Sequence, residues 1–161
     1  MHEQFTITRL FHSPRARVWR AWTDPAQFVQ WFGPRGNTCE VLTFDVRPGG
    51  IVHSRLTMPD GLVIYGKFVF REVEPQRKLV WEHFFADAEG NAVRHVFHEG
   101  WPMTLLTTVD FIEEETGTRV TLRWEPLDAS AAERQVFSDG MASMNQGWGG
   151  TFEQLEQFLA A

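Results

Sequence analysis

A single cysteine in 161 residues, Cys39, rules out an intramolecular disulfide and any zinc site built from several thiolates. The chain must fold on its own core, and a reducing, cytoplasmic setting is the expectation. Long hydrophobic runs are missing too. No stretch of about 18 apolar residues occurs, and Met1-His2-Glu3-Gln4-Phe5 has neither a basic n-region nor an apolar h-region, so neither membrane spanning nor secretion is expected. Positive charge is scarce: 15 Lys and Arg stand against 21 Asp and Glu, for a net charge of −6, and the cations are scattered. That leaves no electrostatic footprint for nucleic acid or an anionic bilayer. The chain also lacks a P-loop, a Gly-x-Gly-x-x-Gly turn, a Gly-x-Ser-x-Gly nucleophile elbow, an internal repeat and a linker. Length and a hydrophobic content of 43% fit one domain, 1–161, with one core.

What the chain has in quantity is aromatic side chains, including seven Trp and fourteen Phe. Three of the Trp fall in one short span. Ser13 can cap a helix with Pro14 at its first position, and Val18, Trp19 and Trp22 form its apolar stripe. Asp24-Pro25 starts a second helix carrying Phe28, Trp31 and Phe32, which Gly33-Pro34 stops. Helices this short need a large partner to pack on.

Strands supply it. Alternation predicts one strand over 4–12, with Phe5, Ile7, Arg9 and Phe11 on one face. Six more follow at 38–47, 51–58, 62–73, 78–85, 103–113 and 118–125, most joined by turn sequences such as Pro48-Gly49-Gly50 and Glu115-Thr116-Gly117. Short connections imply antiparallel neighbours, and clean alternation, as in Leu42, Phe44 and Val46 against Thr43, Asp45 and Arg47, implies one wet face. Residues 86–102 read as a long loop. Ser130-Ala131-Ala132-Glu133 is a capping box, and Phe137, Met141, Met144, Trp148, Phe152, Leu155 and Leu159 then mark one helix of roughly 45 Å. Gly140, Gly147, Gly149 and Gly150 interrupt it at about 1 kcal/mol each relative to Ala, which points to bending or close approach.

Seven strands make a sheet roughly 29 Å wide, whereas a helix with its side chains is about 10–12 Å across. The sheet must curl round the long helix, and the remaining space must be filled by large side chains or stay open. An open, apolar interior is the expectation.

Several stretches then carry a resemblance. Thr8-Arg9, Ser13-Pro14, Val18-Trp19 through Pro25, Trp31-Phe32-Gly33-Pro34, Asp45 through Gly50, Gly66 ahead of Glu72-Val73, Gly117 through Leu122, and Gly147-Trp148 before Leu155 occur in order along the chain. In these the sequence resembles the family related to the C-terminal domain of the activator of Hsp90 ATPase, within the START/Bet v 1-like or SRPBCC superfamily. The resemblance implies an α+β helix-grip fold, in the order β-α-α-β6-α, with a seven-stranded curved antiparallel sheet and an apolar pocket between sheet and C-terminal helix. It implies much less about function, because such folds bind lipids, hormones and polyketides, and some are cyclases or hydrolases. The full-length co-chaperone carries a separate Hsp90-binding domain with no counterpart in these residues, so Hsp90 is a doubtful partner.

The ligand-binding residues expected on this reading are Arg9, Trp31, Phe32, Phe68, Trp81, His83, Leu105, Trp124, Phe137, Met141, Met144 and Trp148. His83 shares the parity of Leu79, Trp81 and Phe85, which aims an imidazole inward; a hydrogen-bonded core histidine is the plainer alternative. Arg9 either anchors an anionic head group or pairs with Glu82 or Glu125. His53 and Arg55 are placed with Asp45 and Arg47 on the solvent face, and Cys39 is read as structural. His95 and His98 fall on opposite strand faces, so His95-Val96-Phe97-His98-Glu99 reads as loop surface and no metal or cofactor is expected.

The expected partner is a small apolar or amphipathic molecule, with monomer and homodimer both open and no catalytic residue assigned. The alternatives are an enzyme using His83 for acid–base chemistry in the same pocket and a co-chaperone interaction module working through its surface.

Overall fold

The computed structural model describes residues 3–161. Strand β1 (Phe5–Phe11) leads to α1 (Arg15–Thr23) and α2 (Pro25–Phe28), then to β2 (Thr38–Phe44), β3 (Ile51–Thr57), β4 (Val63–Glu74), β5 (Lys78–Ala86), β6 (Thr104–Glu114) and β7 (Gly117–Leu127). Helices α3 (Ala131–Asp139) and α4 (Met141–Ala160) complete the chain. All strand pairs are antiparallel, in the order β1-β7-β6-β5-β4-β3-β2, so the first strand closes beside the last. This is the α+β helix-grip architecture that the sequence implies.

Alternation decides which side chains enter the core. Phe68, Phe70, Leu79, Trp81, Leu105, Val109, Phe111, Val120 and Leu122 are buried on the concave face, where α1, α2 and α4 pack. The predicted alternation of β2 breaks at one point. A bulge between Val41 and Thr43 inserts Leu42 as an unpaired residue, 52% exposed, so Cys39 and Phe44 come to lie on the same side despite their opposite parity.

Four local expectations need correction. Ser13 does not cap α1; Pro14 holds the cap position with extended backbone and no side-chain cap bond, while the Ser13 carbonyl accepts a hydrogen bond from Thr118 Oγ1 at 2.9 Å. The C-terminal helix is two helices. Its capping box is formed, with Glu133 N donating to Ser130 Oγ at 3.1 Å and Ser130 N to Glu133 Oε1 at 2.9 Å, but Gly140 (φ −94°, ψ 9°) ends α3. The Trp101 ring presses there, and a Cβ on Gly140 would lie 3.1 Å from it.

His53 is buried rather than solvated, although Arg55 does pair with Glu40 and Arg47 with Asp45. The turn after β5 folds back over His53: the Asp87 carboxylate accepts from the backbone of Glu89 and Asn91, and the Asp87 carbonyl lies 3.0 Å from His53 Nε2. Lys67 Nζ donates to Gly90 O at 3.0 Å and completes the clasp. Arg9, finally, forms no ion pair among the described residues; Glu82, one of its expected partners, is paired with Arg71 at 2.9 Å.

Candidate functional site

Between the concave face and α4 the space is bridged by rings. The backbone of α4 approaches β1, α1 and α3, while the middle of the sheet is reached only through side chains. Phe68 stacks on Trp81 with centroids 4.5 Å apart, and Phe32 meets Phe68 edge-on at 5.7 Å. Trp148 of α4 closes the set, 6.2 Å from Phe32, 5.6 Å from Trp124 and 6.0 Å from Phe152. The interior expected to stand open is therefore occupied by aromatic side chains. Two grooves of about 550 and 540 Å³ lie outside it, one along Pro34, Arg35 and the outer face of α4, the other beside His12–Arg15 and Glu113–Gly117.

The residues singled out from sequence separate into groups. Phe32, Phe68, Trp81, His83, Trp124 and Trp148 form one network of ring contacts, with Leu105 paired to His83 across β5 and β6. Trp31 joins it through Phe32 and Trp22, and its Nε1 donates to Ala21 O at 3.0 Å. Met144 is buried and Met141 partly buried on α4, while Phe137 on α3 is fully buried with its ring 5.6 Å from Trp101. Arg9 stands apart, beside Val120 near the outer edge of the sheet.

His83 keeps some solvent contact, yet its ring is enclosed by Phe68 at 5.5 Å, Phe85 at 5.9 Å and Trp124 at 5.4 Å. This burial pushes its pKa down to about 4, so the imidazole is neutral at physiological pH and offers one donor and one acceptor. Burial, with a smaller contribution from the Glu40 charge, pushes the Cys39 thiol up to about 12, which leaves it without nucleophilic character. His95 Nδ1 accepts from Phe97 N at 2.9 Å and His98 Nδ1 from Gly100 N at 3.2 Å, so both imidazoles serve as local turn caps. Among the described residues no group of three or more His, Cys, Asp or Glu side chains is arranged to hold a metal, and no helix is long and apolar enough to cross a membrane.

Two features escape sequence reasoning. The first is the strap from His95 to Trp101: His95 packs on Phe85 at 4.6 Å, Trp101 reaches α3, and Arg94 binds Glu133 at 2.6 Å. The loop thus ties β5 to α3. The second is a line of unpaired polar atoms. Trp81 Nε1, Thr107 Oγ1 and Trp124 Nε1 are buried with no hydrogen-bond partner among the described residues, and Trp81, Thr107 and Trp124 are direct cross-strand neighbours on β5, β6 and β7. Each orphaned group costs about 1–3 kcal/mol. Thr107 within the run Leu105, Thr107, Val109, Phe111 was the visible signal, a hydroxyl on an apolar face.

Comparison with known proteins agrees with this architecture. The family model described as activator of Hsp90 ATPase homolog 1-like protein matches residues 12–160. Among solved structures, protein Ms6760 from Mycobacterium smegmatis is 28% identical, with 99% of this chain and 94% of that one aligned and a TM-score of 0.80. A protein from Arthrobacter aurescens is 27% identical over 98% of this chain and 86% of its own, with a TM-score of 0.81. One from Rhizobium leguminosarum is 26% identical over 99% and 95%, with a TM-score of 0.71. A search of curated proteins finds no match. By the extent of the family match, the chain belongs to the activator of Hsp90 ATPase homolog 1-like family.

Proposed function

We propose that the protein binds a small, largely apolar molecule between the concave face and the first half of α4. The observation that carries this reading is the way that half is held. Residues 141–150 cover the aromatic face through Met144 and Trp148, and their helix contains Gly147, Gly149 and Gly150, at each of which a Cβ would meet nothing within 4 Å. No steric demand in the fold requires these glycines, and each weakens the helix by about 1 kcal/mol relative to Ala. A cover that bends at them withdraws Trp148 from Trp124 and Phe32 and exposes a ring-lined floor suited to a planar or branched apolar guest.

A screen of lipids, aromatic polyketides and hydrophobic metabolites by thermal shift and native mass spectrometry tests the reading. A guest at a hundred times its Kd adds about 2.7 kcal/mol to stability. Trp148→Ala, which empties the space in advance, should bind the same compounds more tightly. If neither the wild type nor Trp148→Ala is stabilised by any compound, the reading fails.

A further inference from the structure

We infer that the molecule received beneath α4 carries an uncharged hydrogen-bond acceptor, a ketone, aldehyde or ester oxygen, and that it is held in the row of Trp81, Thr107 and Trp124 by the Thr107 hydroxyl and one of the two flanking indoles. The inference rests on the binding reading above and adds the chemistry of the guest's polar end. Register places the three residues in one transverse row: Trp81 pairs with Thr107, and Thr107 with Trp124. All three of their polar atoms are buried and unpartnered among the described residues, as is Nε1 of Trp22, whose ring lies 6.2 Å from Trp81. Burial by itself does not orphan an indole in this core, since Trp31 Nε1, equally enclosed, donates to the Ala21 carbonyl.

The balance of donors and acceptors selects the ligand class. An indole N–H only donates, so the row holds two pure donors and one hydroxyl that can also donate. An alcohol can also accept from the row, but its own O–H then finds only Thr107 Oγ1 as an acceptor, whereas a carbonyl oxygen brings two lone pairs, for the hydroxyl and an indole, and no donor that needs a partner. Charge argues against a carboxylate. Among the described residues, the cation on the concave parity is Arg9, which pairs with Val120, four residues along β7 from Trp124. A buried anion in this row would have no counter-ion. The neighbouring row of Phe68, His83, Leu105 and Pro126 is apolar apart from the imidazole, which suits a hydrocarbon body.

Fluorenone and fluorene, planar tricyclic molecules of nearly the same shape that differ by the ketone oxygen, provide the test. The full chain should bind fluorenone about tenfold more tightly than fluorene. Its bound carbonyl stretch should move to lower wavenumber, and the indole N–H resonance of Trp81 or Trp124 should lie further downfield in the fluorenone complex than in the fluorene complex. Thr107→Val, which keeps the shape and removes the hydroxyl, should erase most of the preference by weakening fluorenone binding. Equal affinity for the two probes overturns the inference and leaves the binding reading intact; binding of neither, by the wild type and by Trp148→Ala, overturns both. Should Thr107→Val fail to fold, an unshifted carbonyl stretch in the wild-type complex overturns the inference on its own.

Discussion

The two halves of α4 lie on one helix and are held in opposite ways. Residues 151–160 are fastened by chemistry with direction: Thr151 Oγ1 donates to Gly33 O at 3.1 Å, Gln154 Nε2 to Trp31 O at 3.2 Å, and Arg17 donates to the terminal carbonyl of Leu159 at 3.1 Å, where a cation also suits the helix dipole. Phe152 and Leu155 are fully buried there. Residues 141–150 have only ring and thioether contacts, and no hydrogen bond among the described residues ties them to the sheet or to the short helices. Directional bonds fix a position, whereas apolar contacts tolerate replacement by another apolar surface of similar shape. The second half is thus a foundation and the first half a cover.

Truncation separates them most strongly. Phe152→Ala removes a ring packed edge-on to Phe11 and Trp22, and should cost about 3–5 kcal/mol in denaturant unfolding. Met144→Ala in the cover should cost nearer 2 kcal/mol. Equal losses would break the contrast.

Acid should act on the floor beneath the cover through His83. Above its ordinary value of 6.5 the imidazole is neutral in both folded and unfolded chains, and between 6.5 and about 4 only the unfolded chain takes up the proton. Stability therefore falls as pH drops through that window and levels off below it, by on the order of 3 kcal/mol in total. His95, lowered by burial and by the charge of His98, adds a loss of the same sign. Chemical denaturation across pH 7 to 4 should show the slope, and His83→Gln should flatten most of it.

Glycine replacement sharpens the comparison from the other side. Ala fits at 147, 149 and 150, so each substitution should stabilise by up to about 1 kcal/mol while slowing association of any guest. Ala at 140 meets Trp101 instead and should destabilise. The smallest effect is Arg17→Ala, at about 1 kcal/mol, which frays the last turn and leaves guest binding unchanged.

Much of this was legible from residues whose spacing has one meaning. Alternation in β6 and β7 and the capping box at Ser130 fix their elements locally, and the turn sequences fix the antiparallel order. Features set by contact across the chain were not. The break at Gly140 needs Trp101 from a loop 39 residues earlier, and burial of His53 needs the turn at Asp87. The bulge at Leu42 gave no local sign, since one inserted residue leaves composition and spacing almost unaltered. Counting aromatic residues showed that the interior could be filled or open; ring geometry, which depends on five separate elements meeting, decided that it is filled.

Backbone hydrogen exchange along α4 tests the central claim most directly. Amides of 141–150 should exchange well before those of 151–160, and a bound guest should slow the first set while leaving the second nearly unchanged. Uniform protection along the whole helix, unaltered by a bound guest, would contradict the division into cover and foundation.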